Sequence, residues 1–442
     1  LHRRRTRVAG LIADHLIKGD RPLEAWPLLI DAAWRAQRLG DLNTAREQLD
    51  RALAAVPLDQ VRDVEAHQKH LAQLMILQGE RLAHVGLFID AFKAFEAACE
   101  SARSTSDLTL LCRALTGVGE AANIRGNYSQ ADSAFSEALK LASEGSPFWP
   151  RATLGWVTCR VLSKQPTDID ALLDRVEVVA SGARNSPIPA QSKLLRALAE
   201  LVKGNRADAL HYMERSESIA RSARERNGVL QTLSWQTQFA LTDGGYRRAI
   251  ELAREAGSLS SQLTHSFLGE WVRGLQAIAA WRSGDQGLAT EIANHSGGVT
   301  KKNEPILPAM RVLLYAGQFD RVGTILERLD VPMSRRPRCD AMQFTALHGH
   351  ALAACAPVRA RALLERAETL QGNAIPEVAA QSWLDLAHAW RALNQTVQSQ
   401  EAAKKGLSAL GTEPPIGLAL ELALFNPELD AGLVRIWAQT IG

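Results

Sequence analysis

Gly40-Asp41-Leu42-Asn43-Thr44-Ala45-Arg46-Glu47-Gln48-Leu49-Asp50-Arg51-Ala52-Leu53-Ala54-Ala55-Val56-Pro57 reads as a glycine turn, then a run with apolar residues at helical spacing, then a proline stop. Ala45, Leu49, Ala52 and Leu53 share one helical face. Glycine can take the positive φ that ends a preceding helix. The Asp or Asn beside it can cap the helix that follows. Nearly the same constellation returns at about forty-residue spacing: Gly126-Asn127-Tyr128 with Ala131, Phe135, Ala138 and Leu139, and Gly244-Gly245-Tyr246 with Ala249, Ala253 and Ala256. Each return predicts a helix, a tight turn and a second helix.

A self-similar helical hairpin is the sequence mark of a solenoid. The pattern resembles the tetratricopeptide repeat (TPR), whose signature is Trp-x2-Leu-Gly-x2-Tyr, then Ala-x3-Phe, then Pro. Turn positions fall at Gly40, Gly86, Gly126, Gly204, Gly244, Gly284 and Gly317, with Cys355 and Asn394 in the same slot of two late copies. The gap from Gly126 to Gly204 is about twice the others, which predicts a degenerate copy with helices near Trp149 to Ser163 and Asp168 to Ser181. Ala33, Gly79, Gly119, Ala197, Ala277 and Ala387 fill the small-residue slot of the first helix. Trp383, Leu386, Ala387 and Trp390 come near the signature itself. Gln286, Val322 and Pro357 depart from it. The resemblance implies an all-α chain, a right-handed α-α superhelix (a TPR-like solenoid) of about ten helical hairpins. It covers 22–410, with a lead-in helix over 1–21 and capping helices over 411–442 (near Leu418 to Phe425 and Pro427 to Gln439). Pro- and Gly-bearing loops near 186–189, 297–302, 331–337 and 412–415 fall between hairpins.

The 442 residues are 46% hydrophobic but only 5% aromatic, and runs of alternating β-branched residues are missing, so no sheet is expected. A net charge of +3 is too mild to demand nucleic acid or a membrane surface. Short basic clusters (Arg3, Arg4, Arg5 and Arg7; Arg335, Arg336 and Arg338; Lys404 and Lys405) read as solvated helix ends and loops. Five cysteines without a Cys-x-x-Cys pair fit reduced thiols in a cytoplasmic protein. No stretch approaches a membrane span or a signal peptide. A first residue Leu1 suggests excision from something longer.

Catalytic constellations are nearly missing. No phosphate loop, nucleophile elbow or His-Glu-x-x-His helix occurs, and Gly117-Val118-Gly119 lacks the strand and third glycine of a dinucleotide fingerprint. His67 and His70 with Glu65 could share a helix face, yet zinc needs three or four ligands, and a solvated pair is favoured. His348 and His350 point roughly 200° apart on a helix, which rules out a chelate. Cys355 reads as a small turn residue. The chain is expected to be non-catalytic, with no cofactor and no metal.

The resemblance implies instead a concave wall lined by the first helix of each hairpin. Carried over copy by copy, that wall holds Trp34 and Gln37; Gln73 and Glu80; Arg113, Glu120 and Asn123; Gln231, Ser234 and Gln238; Trp271, Ile278 and Trp281; Arg311; and Gln381, His388 and Arg391. Arg113, Glu120, Asn123, Gln231, Gln238, Trp271, Trp281, Arg311, Gln381, His388 and Arg391 form the candidate ligand or peptide groove. Glutamine, arginine and indole can hydrogen-bond an extended backbone and bury an apolar anchor. Packing against a neighbouring helix competes as a reading of the two tryptophans, and ordinary exposure competes for Arg113, Asn123 and Arg391.

A second resemblance lies in the first sixty residues. Leu1-His2-Arg3-Arg4, Val8-Ala9, Gly19-Asp20-Arg21-Pro22-Leu23-Glu24-Ala25, Leu28-Leu29-Ile30-Asp31-Ala32-Ala33 and Arg35-Ala36 resemble the join between the winged-helix segment and the repeats of bacterial STAND-class signal-transduction ATPases, including LuxR-type regulators similar to the maltose activator. This resemblance implies a sensor arm for a protein, a peptide or a small-molecule inducer. Its other partner would be an upstream ATPase domain of the same polypeptide, with no direct nucleic-acid or membrane contact. A constitutive scaffold for protein assembly is the alternative, and a hydrolase or transferase using His67, Glu65 or Cys355 is a distant third.

Overall fold

A computed structural model of the chain describes residues 2–19, 21–38, 42–54, 64–84, 87–146, 148–163, 169–180, 186–263, 266–296, 306–329, 338–370, 375–411, 414–426 and 435. Among them are twenty-two α-helices and no strand. The first is α1 (His2–Lys18). Ten helix pairs follow in chain order. They are α2/α3 (Pro22–Arg38, Leu42–Ala54), α4/α5 (Val64–His84, Phe88–Arg103), α6/α7 (Leu108–Ile124, Tyr128–Leu141), α8/α9 (Trp149–Leu162, Ile169–Ala180) and α10/α11 (Ile188–Lys203, Arg206–Ser222). Then come α12/α13 (Arg226–Thr242, Tyr246–Leu263), α14/α15 (Ser266–Arg282, Gln286–Ser296), α16/α17 (Leu307–Tyr315, Phe319–Arg328), α18/α19 (Arg338–Leu352, Pro357–Glu368) and α20/α21 (Pro376–Ala392, Thr396–Leu410). A short α22 (Ile416–Ala423) closes the series. The chain is thus an all-α, TPR-like array of helical hairpins.

The turn slots show why the hairpins form where they do. Gly126, Gly204, Gly244, Gly284 and Gly317 take φ between 66° and 91°, and Asn394 takes 57° in the equivalent place. Cys355 is in a turn without that left-handed conformation; the proline two residues on starts α19 instead. Asp285 caps α15 by accepting from the Leu288 amide at 3.0 Å, whereas Asn205 turns back to donate to Glu200. Gly40, Gly86 and the stretch 427–434 lie outside the described residues.

The chain forms two compact units, Leu1–Ile124 with Ser129–Trp156, and Arg125–Tyr128 with Val157–Gly442. In the first, phenylalanines of the second helices α5 and α7 each wedge between two first helices at paired glycines. Phe95 of α5 fills notches at Gly79 of α4 and Gly117 of α6, and Phe135 of α7 fills those at Gly119 of α6 and Gly155 of α8. A Cβ at any of these four glycines would come within 3.0 Å of the ring, so the close approach requires glycine there. Trp26 anchors the start of the unit, its indole donating to the Ala52 carbonyl at 3.0 Å. In the second unit two large clusters repeat the alanine-and-leucine theme, one around Ile278, Met310 and Leu347, the other around Leu384, Trp390 and Leu418.

Successive first helices pack on one another within each unit: α2 on α4 and α4 on α6 in the first; α10 on α12, then α14, α16, α18 and α20 in sequence in the second. No two second helices do so to a like degree among the described residues. First helices therefore run nearer to one another than second helices do within each unit, and the positions expected to line a wall lie on them.

Candidate functional site

In the first unit the wall residues join in one chain across four first helices. The guanidinium of Arg113 (α6) lies 3.6 Å from the centroid of the Trp34 ring (α2). It also donates to Glu80 (α4) at 2.9 Å. Glu80 in turn accepts from Arg151 (α8) at 3.5 Å, and Arg151 forks onto Glu120 (α6) at 2.8 and 2.7 Å. Arg151 keeps 47% and Glu120 34% of side-chain exposure, whereas Glu80 keeps only 10%. The chain thus has a buried root and a solvent-facing crest. Burial pulls the Arg113 pKa down, and the charge of Glu80 and its hydrogen bond oppose that. Asn123 serves the backbone instead, its amide donating to the Gly155 carbonyl at 3.1 Å. Gln73 is half-buried, and the side chain of Gln37 lies outside what is described.

Wall residues of the second unit are placed differently. Gln231 is exposed and Gln238 half-buried, while Ser234 is buried and donates to the Leu230 carbonyl. Trp271 and Trp281 are half-buried against the Ile278 cluster, and Trp281 stands 5.9 Å from Tyr315. Arg311 (α16) pairs with Asp385 (α20), and Gln381 lies beside them, its amide 3.4 Å from the same carboxylate. Arg282 (α14) donates to Glu421 (α22) at 2.7 Å and to Gln381 at 3.4 Å. Arg206, at the start of α11, holds Glu377 at the start of α20 and donates to Asp243 at 2.7 Å. The His388 ring (α20) lies 5.1 Å from Tyr315, 6.3 Å from His350 (α18) and 4.7 Å from Phe425; Arg391 is exposed, its guanidinium 5.0 Å over Phe425. At three expected ligand positions the side chains are engaged within the chain: Arg311 with Asp385, Gln381 with Asp385 and Arg282, and His388 with the Tyr315, His350 and Phe425 rings.

Burial dominates the electrostatics here. It pushes His350 down to about 4; burial, and after it the charge of His350 and nearby arginines, takes His388 to about 3. Desolvation likewise raises the Glu377 and Glu421 carboxyls against the pull of Arg206 and Arg282.

The residues weighed for catalysis are elsewhere. His67 and His70 lie 5.0 and 5.9 Å from the Trp26 ring, half-buried against the indole. Glu65 accepts from the Ser106 amide and hydroxyl. His348 faces Phe344 whereas His350 faces Phe319 and His388, as opposite helix faces require. Among the described residues no group of three or more His, Cys, Asp or Glu is placed to hold a metal, and no helix is long and apolar enough to cross a membrane.

Reading first-helix positions named Trp34, Glu80, Arg113 and Glu120, which are linked here in one network, but did not name Arg151, Arg206, Tyr315, Glu377, Asp385 and Glu421. Asp385 stands four residues after Gln381 on the same stripe of α20, which was the available signal.

No protein-family model and no curated protein matches the chain. Among solved structures it is similar to a Rap protein complexed with competence and sporulation factor (13% identity, TM-score 0.48, covering 82% of this chain and 98% of that one). It is similar also to the apo quorum sensor NprR of B. thuringiensis (11%, TM-score 0.45, 87% and 98%). A third is a signal transduction ATPase with numerous domains and a tetratricopeptide repeat sensor from Pyrococcus horikoshii (13%, TM-score 0.44, 94% of this chain and 55% of that one). Scores of this size leave the fold resting on the chain's own hairpins.

Proposed function

We propose that this chain is a non-catalytic binding arm that recognises a protein or peptide partner along its first-helix wall, and that it acts as the sensor arm of a bacterial signal-transduction ATPase or transcriptional regulator. The observation that carries the binding reading is the Trp34–Arg113–Glu80–Arg151–Glu120 chain, which aligns side chains from α2, α4, α6 and α8. Its crest presents alternating donors and acceptors at fixed places, and each guanidinium is already oriented by a carboxylate. Preorganised polar groups of this kind bind an extended backbone at a smaller ordering cost than free side chains do. Among the described residues Cys99, Cys112, Cys159 and Cys355 are thiols, three of them buried, which fits a reducing cytoplasmic setting. The regulatory half of the reading rests on the resemblance of the first sixty residues. A constitutive scaffold would use the same wall without switching.

Peptide selection on the immobilised protein tests the binding half. Peptides enriched on the native chain are expected to lose at least about tenfold in affinity for Arg151→Ala and Trp34→Ala variants. Equal affinity for native and variant chains would refute a role for this wall. Sustained turnover of a substrate abolished by Cys355→Ala would refute the non-catalytic reading.

A further inference from the structure

In an array of hairpins the dominant contacts are between neighbours. The second unit departs from that rule in one direction: cations of early hairpins reach acids of the last elements. Arg206 and Glu377 are 171 residues apart in sequence, Arg282 and Glu421 139, and Arg311 and Asp385 74. The acceptors share a geometry. Glu377, Gln381, Asp385 and His388 fall at intervals of four, four and three along one stripe of α20, and α22 supplies Glu421. Backbone meets backbone as well: a Cβ on Gly417 of α22 would stand 2.6 Å from the Gly244 amide nitrogen and 2.8 Å from the Thr242 carbonyl, in the turn after α12. Leu418 and Leu422 complete the seat inside the α20–α21 core. α20, with α22 packed beside it, thus faces α11, α14 and α16 together and covers the wall at Arg311 and Gln381, while Gln231 stays exposed. Because the three pairs lie on one body, releasing any of them strains the others, and they should let go together.

We propose that α20 and α22 form an intramolecular latch: their carboxylates, held by arginines of α11, α14 and α16, keep the part of the second unit's wall around Arg311 and Gln381 shut, and a partner reaches that part only in the released state. The part concerning the partner rests on the binding reading above; the latch itself does not. In the latched state α12, α14 and α16 are coupled to helices 74 or more residues away. A ligand for the wall would act by selecting the open population.

Native-state hydrogen exchange on the full chain across a denaturant series tests this without any partner. The expected result is that amides of α12, α14 and α16 exchange through the same opening as those of α20 and α22, with one denaturant dependence. Glu421→Gln, which keeps shape and removes charge, should speed exchange in α12 and α14 by about tenfold or more. Early exchange of α20–α22 while α12–α16 stay protected overturns the latch. So does an effect of Glu421→Gln confined to α20–α22. The native-chain series decides the matter even where the variant folds poorly. Failure of peptide selection alone would sink the binding reading and leave the latch standing.

Discussion

The guanidinium of Arg311 forks onto the carboxylate of Asp385, Nε to Oδ1 and Nη2 to Oδ2, both at 2.6 Å, and the two side chains keep only 4% and 1% of their exposure. Neither charge has water to fall back on. The bidentate geometry offsets the desolvation of both ions only while both are present.

Removing one partner should therefore cost far more than removing two. Asp385→Ala is expected to destabilise the second unit by about 3–5 kcal/mol, and Arg311→Met with Asp385→Leu to recover most of that loss. Urea titrations followed by tryptophan fluorescence measure both. Equal losses in the single and double variants would mean that the pair is not the source of the effect.

The glycine notches give two substitutions of opposite sign. Gly119→Ala pushes a methyl into the Phe135 ring and should cost about 1–3 kcal/mol. Gly257→Ala, inside α13 with open space around it, should stabilise by about 0.5–1 kcal/mol through helix propensity. Denaturation midpoints of the two variants should move in opposite directions; a shift of the same sign in both would contradict the steric account.

Hairpins were legible because their signals are local. The turn glycine, the small residue of the first helix and the second-helix phenylalanine lie within one repeat of each other, and even the degenerate copy yields α8 and α9 close to where spacing put them. Closure of the second unit was not. Arg206 and Glu377 are ordinary surface-type residues in their own windows, and no periodicity links positions 171 residues apart. Arg311, Gln381 and His388 were identified as wall positions one by one, but their pairing with Asp385, Arg282 and Tyr315 depends on the curvature summed over several hairpins. Arg151 was missed because its hairpin lacks the repeat signature that assigned the other wall residues.

Arg224 adopts φ of 55° in the turn before α12, a conformation taken by glycine at Gly204, Gly244 and Gly284. An L-residue with a Cβ pays about 1 kcal/mol there, and Arg224 is exposed. Arg224→Gly should raise stability by up to about 0.5 kcal/mol after the entropy of glycine is deducted, whereas Gly284→Ala should lower it by about 1 kcal/mol. Thermal unfolding monitored by circular dichroism distinguishes the two, and a destabilised Arg224→Gly would show that its side chain has a role beyond the turn.

The buried imidazoles make the second unit acid-sensitive. His350 and His388 sit at about 4 and about 3, below the ordinary 6.5, because burial disfavours their charged form. The unfolded chain therefore binds protons that the native chain refuses, starting near pH 6.5. Stability from these groups is full above that value and is lost as pH falls toward 4 and 3, by up to about 1.4 kcal/mol per pH unit for each ring. Around them stand Phe319 and Tyr315 from α17 and α16, Phe425 after α22, and the cations Arg282, Arg311 and Arg391, so protonation would add charge beside charge. Glu377 and Glu421, raised by burial, act with the opposite sign: the native state takes up their protons first, which stabilises it as pH falls. A His350→Gln, His388→Gln double variant separates the two contributions. Its urea midpoint between pH 7 and pH 5 should fall less than that of the native chain, and a drop as steep in the double variant would place the acid sensitivity elsewhere.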